Sequence, residues 1–382
     1  MTIANLRLGL YFGKLRPSPA PASIVSAIQT VNISQSDTNA GRQGFNITFN
    51  ADRGPQMNAD YPLLRHPLLH VGQRLVISVT LNAAQYVLMD GIIGHIQLNP
   101  PADGQEATLT VTGEDLSVLL DMVDIDVSLP PIGHLGAALL ILAKYLPLGI
   151  VPDVQRPLKD LITAPTERVP FQQGTDLDYL RRIAAEHSYI FMIKPGPVPG
   201  ASKAYWGPPP RSGQPQKALS VNMGAATNVQ SLDFFYNGQA ATQYFGLVTT
   251  PNAPIPVPIA GLVDFHRPDL SNERPLLHNQ PFVRKTRLRS PGDSVPKAMM
   301  QAQTAVNQST KTIVTAQGVL NVLKYGTILS APGLVGVRGA GYTFDGNYYV
   351  QSVTHQISRG AYTQSFTLSR EGPQTNVNKV II

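Results

Sequence analysis

From residue 24 to residue 113 apolar and polar positions alternate with a period of two, in runs such as FNITFNAD, RLVISVTL and ATLTVTGED. Val, Ile and Thr fill these runs and Gly, Pro, Asn and Asp separate them, which predicts antiparallel strands with one buried face. The period then changes. In GHLGAALLILAKYL, Leu135, Leu139, Leu142 and Leu146 fall on one helical stripe that Pro147 and Gly149 stop. A second helix is predicted after Thr175. Its hydroxyl suits an N-cap, Asp176 and Asp178 put negative charge in the first turn, and Leu177, Leu180, Ile183 and Ala184 form the apolar stripe. Arg181 and Arg182 follow Asp178 at pairing distance. The helix closes at His187, and YIFMIK follows as a strand.

Two proline-rich stretches come next, KPGPVPGASKAYWGPPPRSGQP and TTPNAPIPVPIAGLVDFHRPDL, and both read as long loops or irregular arms. Between them VQSLDFFYNGQAATQYFGLV is a candidate hairpin with Asn237-Gly238 at the turn. A third helix is predicted from Ser294 to about Gln308, with Pro296 in its first turn and Ala298, Ala302, Ala305 and Val306 on a small-residue face. The remainder is β, with turns at Pro332-Gly333 and Asp345-Gly346. The fold class expected is mainly β with an α+β insertion, meaning two antiparallel β-barrel domains plus a helix-containing domain. The expected division is 1–118 for the first barrel, 119–218 for the helical insertion with its proline-rich loop, and 219–382 for the second barrel with a proline-rich arm and one helix.

The two barrels are suggested by a repeat. YVLMDGIIGHIQLNPPADGQEATLTVTGED, from Tyr86 to Asp115, and YYVQSVTHQISRGAYTQSFTLSREG, from Tyr348 to Gly372, share a plan. In each, a tyrosine-led strand reaches a histidine, His95 or His355, and crosses a turn into a strand that ends at an acidic residue, Glu114 or Glu371. Any two amphipathic hairpins share a period, so the identities alone do not separate duplication from coincidence. If the duplication is real, three chains in a closed ring present six similar modules.

A chain of 382 residues has room for two or three cores. With 43% hydrophobic and only 14% charged residues, its surface is expected to be polar-uncharged or covered by partners. The net charge is +6, but the basic residues are scattered except for Arg284, Lys285, Arg287 and Arg289. No aromatic residues interleave with that group, so a solvated stripe is preferred over a nucleic-acid contact. The absence of cysteine excludes disulfides, thiolate metal sites and thiol nucleophiles. No apolar run reaches membrane-spanning length and the first residues alternate without a signal-peptide core, so synthesis in the cytoplasm without an export signal is expected, with no membrane partner.

Chemistry is thinly supplied. There is no G-x-S-x-G, no H-E-x-x-H, no P-loop and no G-x-G-x-x-G opening a helix. His66 and His70 have helical ligand spacing, but Pro67 lies between them and no carboxylate is near. Asp121, Asp124 and Asp126 lack the glycine and terminal glutamate of a calcium loop. Glycoside cleavage would need two of Glu106, Glu114, Asp176 and Glu186 to converge, and no pair is nominated. His95 and His355 read as structural histidines of half-buried strands. Trp206 reads as the anchor that pins the long loop to a barrel, with a ligand platform as the alternative. No catalytic, cofactor-binding or metal residue is therefore assigned, and no enzyme is expected.

FQQGTDLDYLRRIAAEHSYIFMIKPG, AYWGPPPR, LSVNMGAATNVQSLDF and FDGNYYVQSVTHQISRGAYTQSFTLSREG resemble, in this order, the phage late control gene D family. These are baseplate hub proteins of contractile tails, and the family includes the N-terminal region of VgrG. The resemblance runs from about Leu6 to Gly372. It implies a homotrimeric hub with two tail-tube-like barrels per subunit, forming a pseudo-hexameric ring between the tail tube protein and a central spike. It also implies contacts of the helical insertion and the proline-rich arms, 195–215 and 251–281, with neighbouring subunits, baseplate wedge proteins or tube-initiator proteins. Nucleic acid would at most pass through the lumen, and the protein would end up in the baseplate of a phage tail or injection particle. The chain stops shortly after its last hairpin, so the spike and any wall-degrading activity are expected on another polypeptide. The rival reading is a tail-associated or secreted carbohydrate-binding protein or glycosidase with a cleft in the proline-rich loops. A tube-terminating or tape-associated protein of similar barrel fold is a third.

Overall fold

The computed structural model describes residues 2–3, 6–37, 43–51, 60–100, 106–157, 170–250, 253–261, 268–273, 283–289 and 294–376. The first part of the chain contributes six long strands, β1 (Leu6–Phe12), β2 (Ile28–Ser36), β3 (Gly44–Asn50), β4 (Arg74–Leu81), β5 (Ala84–Asn99) and β6 (Thr108–Asp115), and two two-residue strands, Thr2–Ile3 and Ser18–Pro19, that pair with β1. Alternation gives β1, β3 and β6 an inward row, for example Leu6, Leu8, Leu10 and Phe12 on β1 and Phe45, Ile47 and Phe49 on β3, all buried, whereas β4 is covered on both faces along most of its length. The five-residue helix α1 (Ala22–Ser26) drops Ile24 into the same core.

The insertion follows. The Asp115 carboxylate accepts from the backbone N–H of Ser117, 3.0 Å away, and so starts a 3-10 helix over Leu116–Asp121. Helices α2 (Gly133–Ala143) and α3 (Asp176–Glu186) pack against β7 (Ile150–Val154), β8 (Ile190–Pro195) and β9 (Ser202–Gly207), which form a sheet of order β7-β9-β8. Thr175 caps α3 as its sequence predicts, its Oγ1 accepting from Asp178 N at 3.2 Å. On α2 the expected stripe is turned by about one residue. Ala137, Ala138, Ile141 and Leu142 are buried, whereas Leu139 and Leu146 are exposed. Ala137 and Ala138 let α2 lie close to the sheet, and Leu139 and Leu140 point away.

The last part adds β10 (Gln216–Ser220), β11 (Val229–Tyr236), β12 (Thr242–Thr250), β13 (Ala253–Ala260), β14 (Arg284–Arg287), β15 (Val314–Asn321), β16 (Gly333–Arg338), β17 (Gly346–Ser358) and β18 (Ala361–Arg370). Helices α4 (Val295–Thr310) and α5 (Val322–Tyr325) lie among them. Ala298, Ala302 and Val306 of α4 are buried as expected, against the three-stranded sheet β13-β12-β14.

Two expectations are corrected in this region. Asn237-Gly238 is not the turn of a hairpin, because β11 pairs with β15 while β12 pairs with β13 and β14. The second proline-rich arm is in part a strand. Pro254, Pro256 and Pro258 alternate along β13, an edge strand, so their missing N–H groups face away from the ladder to β12. Residues 251–252, 262–267 and 274–281 of that arm lie outside the described residues. The first arm likewise contains β9.

The mainly-β class with a helix-containing insertion is what the patterning predicts. Beyond that, the strands fall into two modules with one wiring. The first runs β1-β4-β5-β6-β3-β2 and the second β10-β16-β17-β18-β15-β11, so each reads first, fourth, fifth, sixth, third, second in chain order. The first strands differ in direction, β1 being antiparallel to β4 and β10 parallel to β16. The modules meet where β2 pairs with β17, Thr30–Ser36 against Ser352–Ser358, which makes one 14-stranded sheet over one hydrophobic core.

Candidate functional site

The feature this wiring creates is a polar sheet face. Register fixes which side chains stand beside one another on it. One row crosses seven strands as His95, Thr112, Asn46, Asn32, Gln356, Thr363 and Asn321. The next runs Glu114, Gly44, Ser34, Thr354, Ser365, Val319 and Ser231. A third holds Gln97, Thr110, Thr48, Thr30 and Ser358, and a fourth Ser36, Ser352, Thr367, Gln317 and Asp233. Hydroxyls and amides dominate, and His95, Glu114 and Asp233 are the ionisable side chains of these rows. The amides bridge strands, as where Asn46 Nδ2 donates to Thr112 Oγ1 at 3.5 Å. Two open depressions lie on this face. Asn32, Asn46 and Thr112 help line one in the first module, and Ser352, Thr354 and Thr367 the other in the second.

Paired bulges align the modules residue by residue. β2 carries a bulge between Ile28 and Thr30, and β11 one between Val229 and Ser231, so Gln29 and Gln230 are equivalent. β5 is bulged between Ile93 and His95, β17 between Val350 and Ser352, so Gly94 and Gln351 are equivalent. His95 therefore corresponds to Ser352, and His355 to Leu98, three residues from the alignment the two histidines suggest. Their environments differ to match. His95 is exposed, whereas His355 is fully buried with its Nδ1 2.8 Å from the Tyr362 hydroxyl, and burial pushes its pKa down to about 3. The sequence signal for this register is the shared string of apolar residue, glutamine, hydroxyl and apolar residue in Ile28-Gln29-Thr30-Val31 and Val229-Gln230-Ser231-Leu232.

Polar clusters elsewhere brace the structure. Arg74, buried, holds Asp90 through two hydrogen bonds at 2.8 and 2.7 Å and donates to the carbonyls of Lys14, Leu148 and Gly200. It thus fastens the insertion to the first module. Asp37, beside the β2–β17 seam, accepts from Lys311 Nζ at 2.7 Å and from the Tyr349 hydroxyl at 2.8 Å. Glu371 accepts from Arg211 and from the backbone N–H groups of Leu270 and Ser271.

The residues weighed for chemistry are dispersed. His66 and His70 each bond locally, to Leu68 N and Val71 O. Asp121 accepts from Thr175 Oγ1 at 2.8 Å. Glu106 precedes β6 and Glu114 lies near its far end, with about 20 Å of strand rise between Thr108 and Glu114. Asp176 and Glu186 sit at opposite ends of α3, about 15 Å apart by helix rise. Asp176 is buried beneath Lys144, Tyr145 and Gln172. Trp206 is fully buried in the core of the insertion, its indole N–H donating to Leu180 O at 3.2 Å, so it anchors α3 to β9 and not a loop to a barrel. Arg284, Lys285, Arg287 and Arg289 are exposed. Among the described residues no group of three His, Cys, Asp or Glu side chains is placed to hold a metal ion, and no helix is long and apolar enough to cross a membrane.

No protein-family model matches the sequence, nor does any curated protein. Solved structures do match the fold along almost its whole length. A tail protein from Neisseria meningitidis MC58 is 14% identical, with a TM-score of 0.65 over 96% of this chain and 97% of that one. The 43 kDa tail protein of prophage MuSo2 from Shewanella oneidensis is 12% identical, with a TM-score of 0.63 over 96% and 98%. An E. coli protein described as a component of the type VI secretion system, structurally similar to the T4 bacteriophage tail proteins gp27 and gp5, is 14% identical, with a TM-score of 0.52 over 98% and 80%. At such identities the likeness concerns the fold.

Proposed function

We propose that this chain is a structural baseplate hub of a contractile injection machine, of the gene D and VgrG-like kind, acting through assembly and not through catalysis. Three copies would form a ring of six similar modules, matching a six-fold inner tube on one side and a three-fold central spike on the other. The observation that carries this reading is the duplicated wiring: one chain holds the same six-strand order twice, joined by main-chain hydrogen bonds into one sheet. A three-fold assembly of twin modules is the economical way to imitate six-fold symmetry.

In such a ring the rows, mostly Ser, Thr, Asn and Gln with only His95, Glu114 and Asp233 ionisable, would face the lumen, where hydroxyls and amides offer passing cargo little charge to bind. The insertion presents Leu139, Leu140, Leu146 and Phe171 to solvent, apolar groups suited to contacts with wedge or tube-initiator proteins. The low charge content agrees with a surface largely given to interfaces.

The test is assembly. Purified protein is expected to sediment as a trimer and to co-assemble with its tail tube protein in the absence of carbohydrate. Glycan binding that disappears when a single carboxylate is neutralised would favour the glycosidase or carbohydrate-binding reading instead.

A further inference from the structure

The seam inside the chain is a template for the contact between chains. In β17, the residues beyond the bulge, Ser352–Ser358, leave β16 and pair with β2. In β5, the equivalent residues beyond the bulge, His95–Asn99, leave β4 and pair only with β6 among the described residues. At the far end of the sheet β11, the equivalent of β2, pairs only with β15 among the described residues. Each chain thus offers one of each seam edge, a β17-like edge on β5 and a β2-like edge on β11.

Burial on the two outer edges follows the same logic. At the internal seam Val353 and His355 of β17 and Ile33 of β2 are fully buried. Their equivalents Ile96, Leu98 and Phe234 are only partly covered, and Phe235, the equivalent of Ser34, is 55% exposed. These outer edges look like the seam with its partner strand removed.

We infer that β11 of one copy pairs antiparallel with the His95–Asn99 segment of β5 in a second copy, repeating the β2–β17 seam. The inference rests on the ring reading above and names its surfaces. Transferring the internal register, where Gln356 faces Asn32 and Thr354 faces Ser34, puts Asn99 opposite Asp233 and Gln97 opposite Phe235. The Asn99 amide then meets the Asp233 carboxylate, and Leu98 and Phe234 close over the core. Because the two edges differ, the contact is head-to-tail, the type that closes into rings. A free sheet edge exposes unsatisfied N–H and C=O groups, and pairing satisfies them.

Cross-linking in the full-length chain tests the register, since the protein has no cysteine of its own. Asn99 and Asp233 are both exposed. The variant Asn99→Cys/Asp233→Cys is expected to form covalent multimers on mild oxidation, because directly opposed Cβ atoms stand about 4.5–5.5 Å apart. Asn99→Cys/Ser231→Cys, displaced by two residues, should link at least tenfold less, as its Cβ atoms are out of disulfide reach. The exposed change Phe235→Lys should raise the single-copy fraction in sedimentation at least tenfold. Equal linking in both cysteine pairs, or no linking in a chain that is still multimeric, overturns the edge pairing and leaves the hub reading standing. A wild-type chain that sediments as single copies also overturns the pairing, and co-assembly with the tube protein then decides the hub reading separately.

Discussion

Replacing Arg74 by leucine should loosen the insertion from the first module. Arg74 and Asp90 are each 3% exposed, and Arg74 makes five hydrogen bonds: two to Asp90, and one each to the carbonyls of Lys14, Leu148 and Gly200. Arg74→Leu strands a buried carboxylate whose remaining side-chain partner is the Ser202 hydroxyl, at 2.8 Å. Breaking a buried ion pair from one side costs about 3–5 kcal/mol. Against a typical domain stability of about 5–15 kcal/mol that is a large loss. Removing both charges in Arg74→Leu/Asp90→Leu should recover most of it, because an apolar pair of similar volume is often neutral. About 1–2 kcal/mol should persist from the three carbonyls and Ser202, left to find water. Urea unfolding of wild type, both single variants and the double variant forms the cycle. Hydrogen exchange in β7 and β9, measured against β4, tells local loosening from global unfolding. A single-variant loss below about 1 kcal/mol, or a double variant as unstable as the single, would refute the bracing role.

The remaining predictions concern acid and the insertion core. Burial pushes the Asp115 pKa up to about 6 and the His355 pKa down to about 3. Folded Asp115 keeps its proton where the unfolded chain has lost it, so its contribution falls as pH rises from about 4 to 6. Unfolded His355 gains its proton first, so its contribution falls as pH drops from about 6.5 to 3. Each slope approaches about 1.4 kcal/mol per pH unit, and between pH 4 and 6 they oppose. Urea midpoints for Asp115→Asn should therefore fall on acidification in that window and those for His355→Gln should rise; equal slopes in both variants would count against it. Trp206→Ala should cost about 3–5 kcal/mol by denaturant unfolding monitored by circular dichroism, and a loss under about 1 kcal/mol would contradict its place in the core.

Much of the architecture was readable because period is a local property. Thr175, Asp178 and the Leu177–Leu180–Ile183 stripe set α3 from within eleven residues, and the alternation in Phe45–Phe49 or Arg74–Leu81 needs no distant information. Partner choice was not readable. The Asn237-Gly238 turn is locally a fair hairpin signal, but β11 finds β15 some eighty residues away. On β13 the prolines read as loop until their spacing of two is combined with an edge position. The repeat was visible in its hairpins, but its register was hidden because the two loops differ in length and the bulges, not the histidines, keep the count. The polar face was present as alternating Thr, Ser and Asn, although only the pairings assemble those residues into rows.

The seam between β2 and β17 has a mechanical consequence. Seven opposed residue pairs join the modules through the backbone. A force directed along these strands strains all those main-chain bonds together, so they must fail as a set. A force applied across them peels one pair at a time. The joint is therefore stiff in one direction and soft in the other, and side-chain substitutions on the polar face leave that anisotropy intact because the load travels through amides that every residue except proline carries.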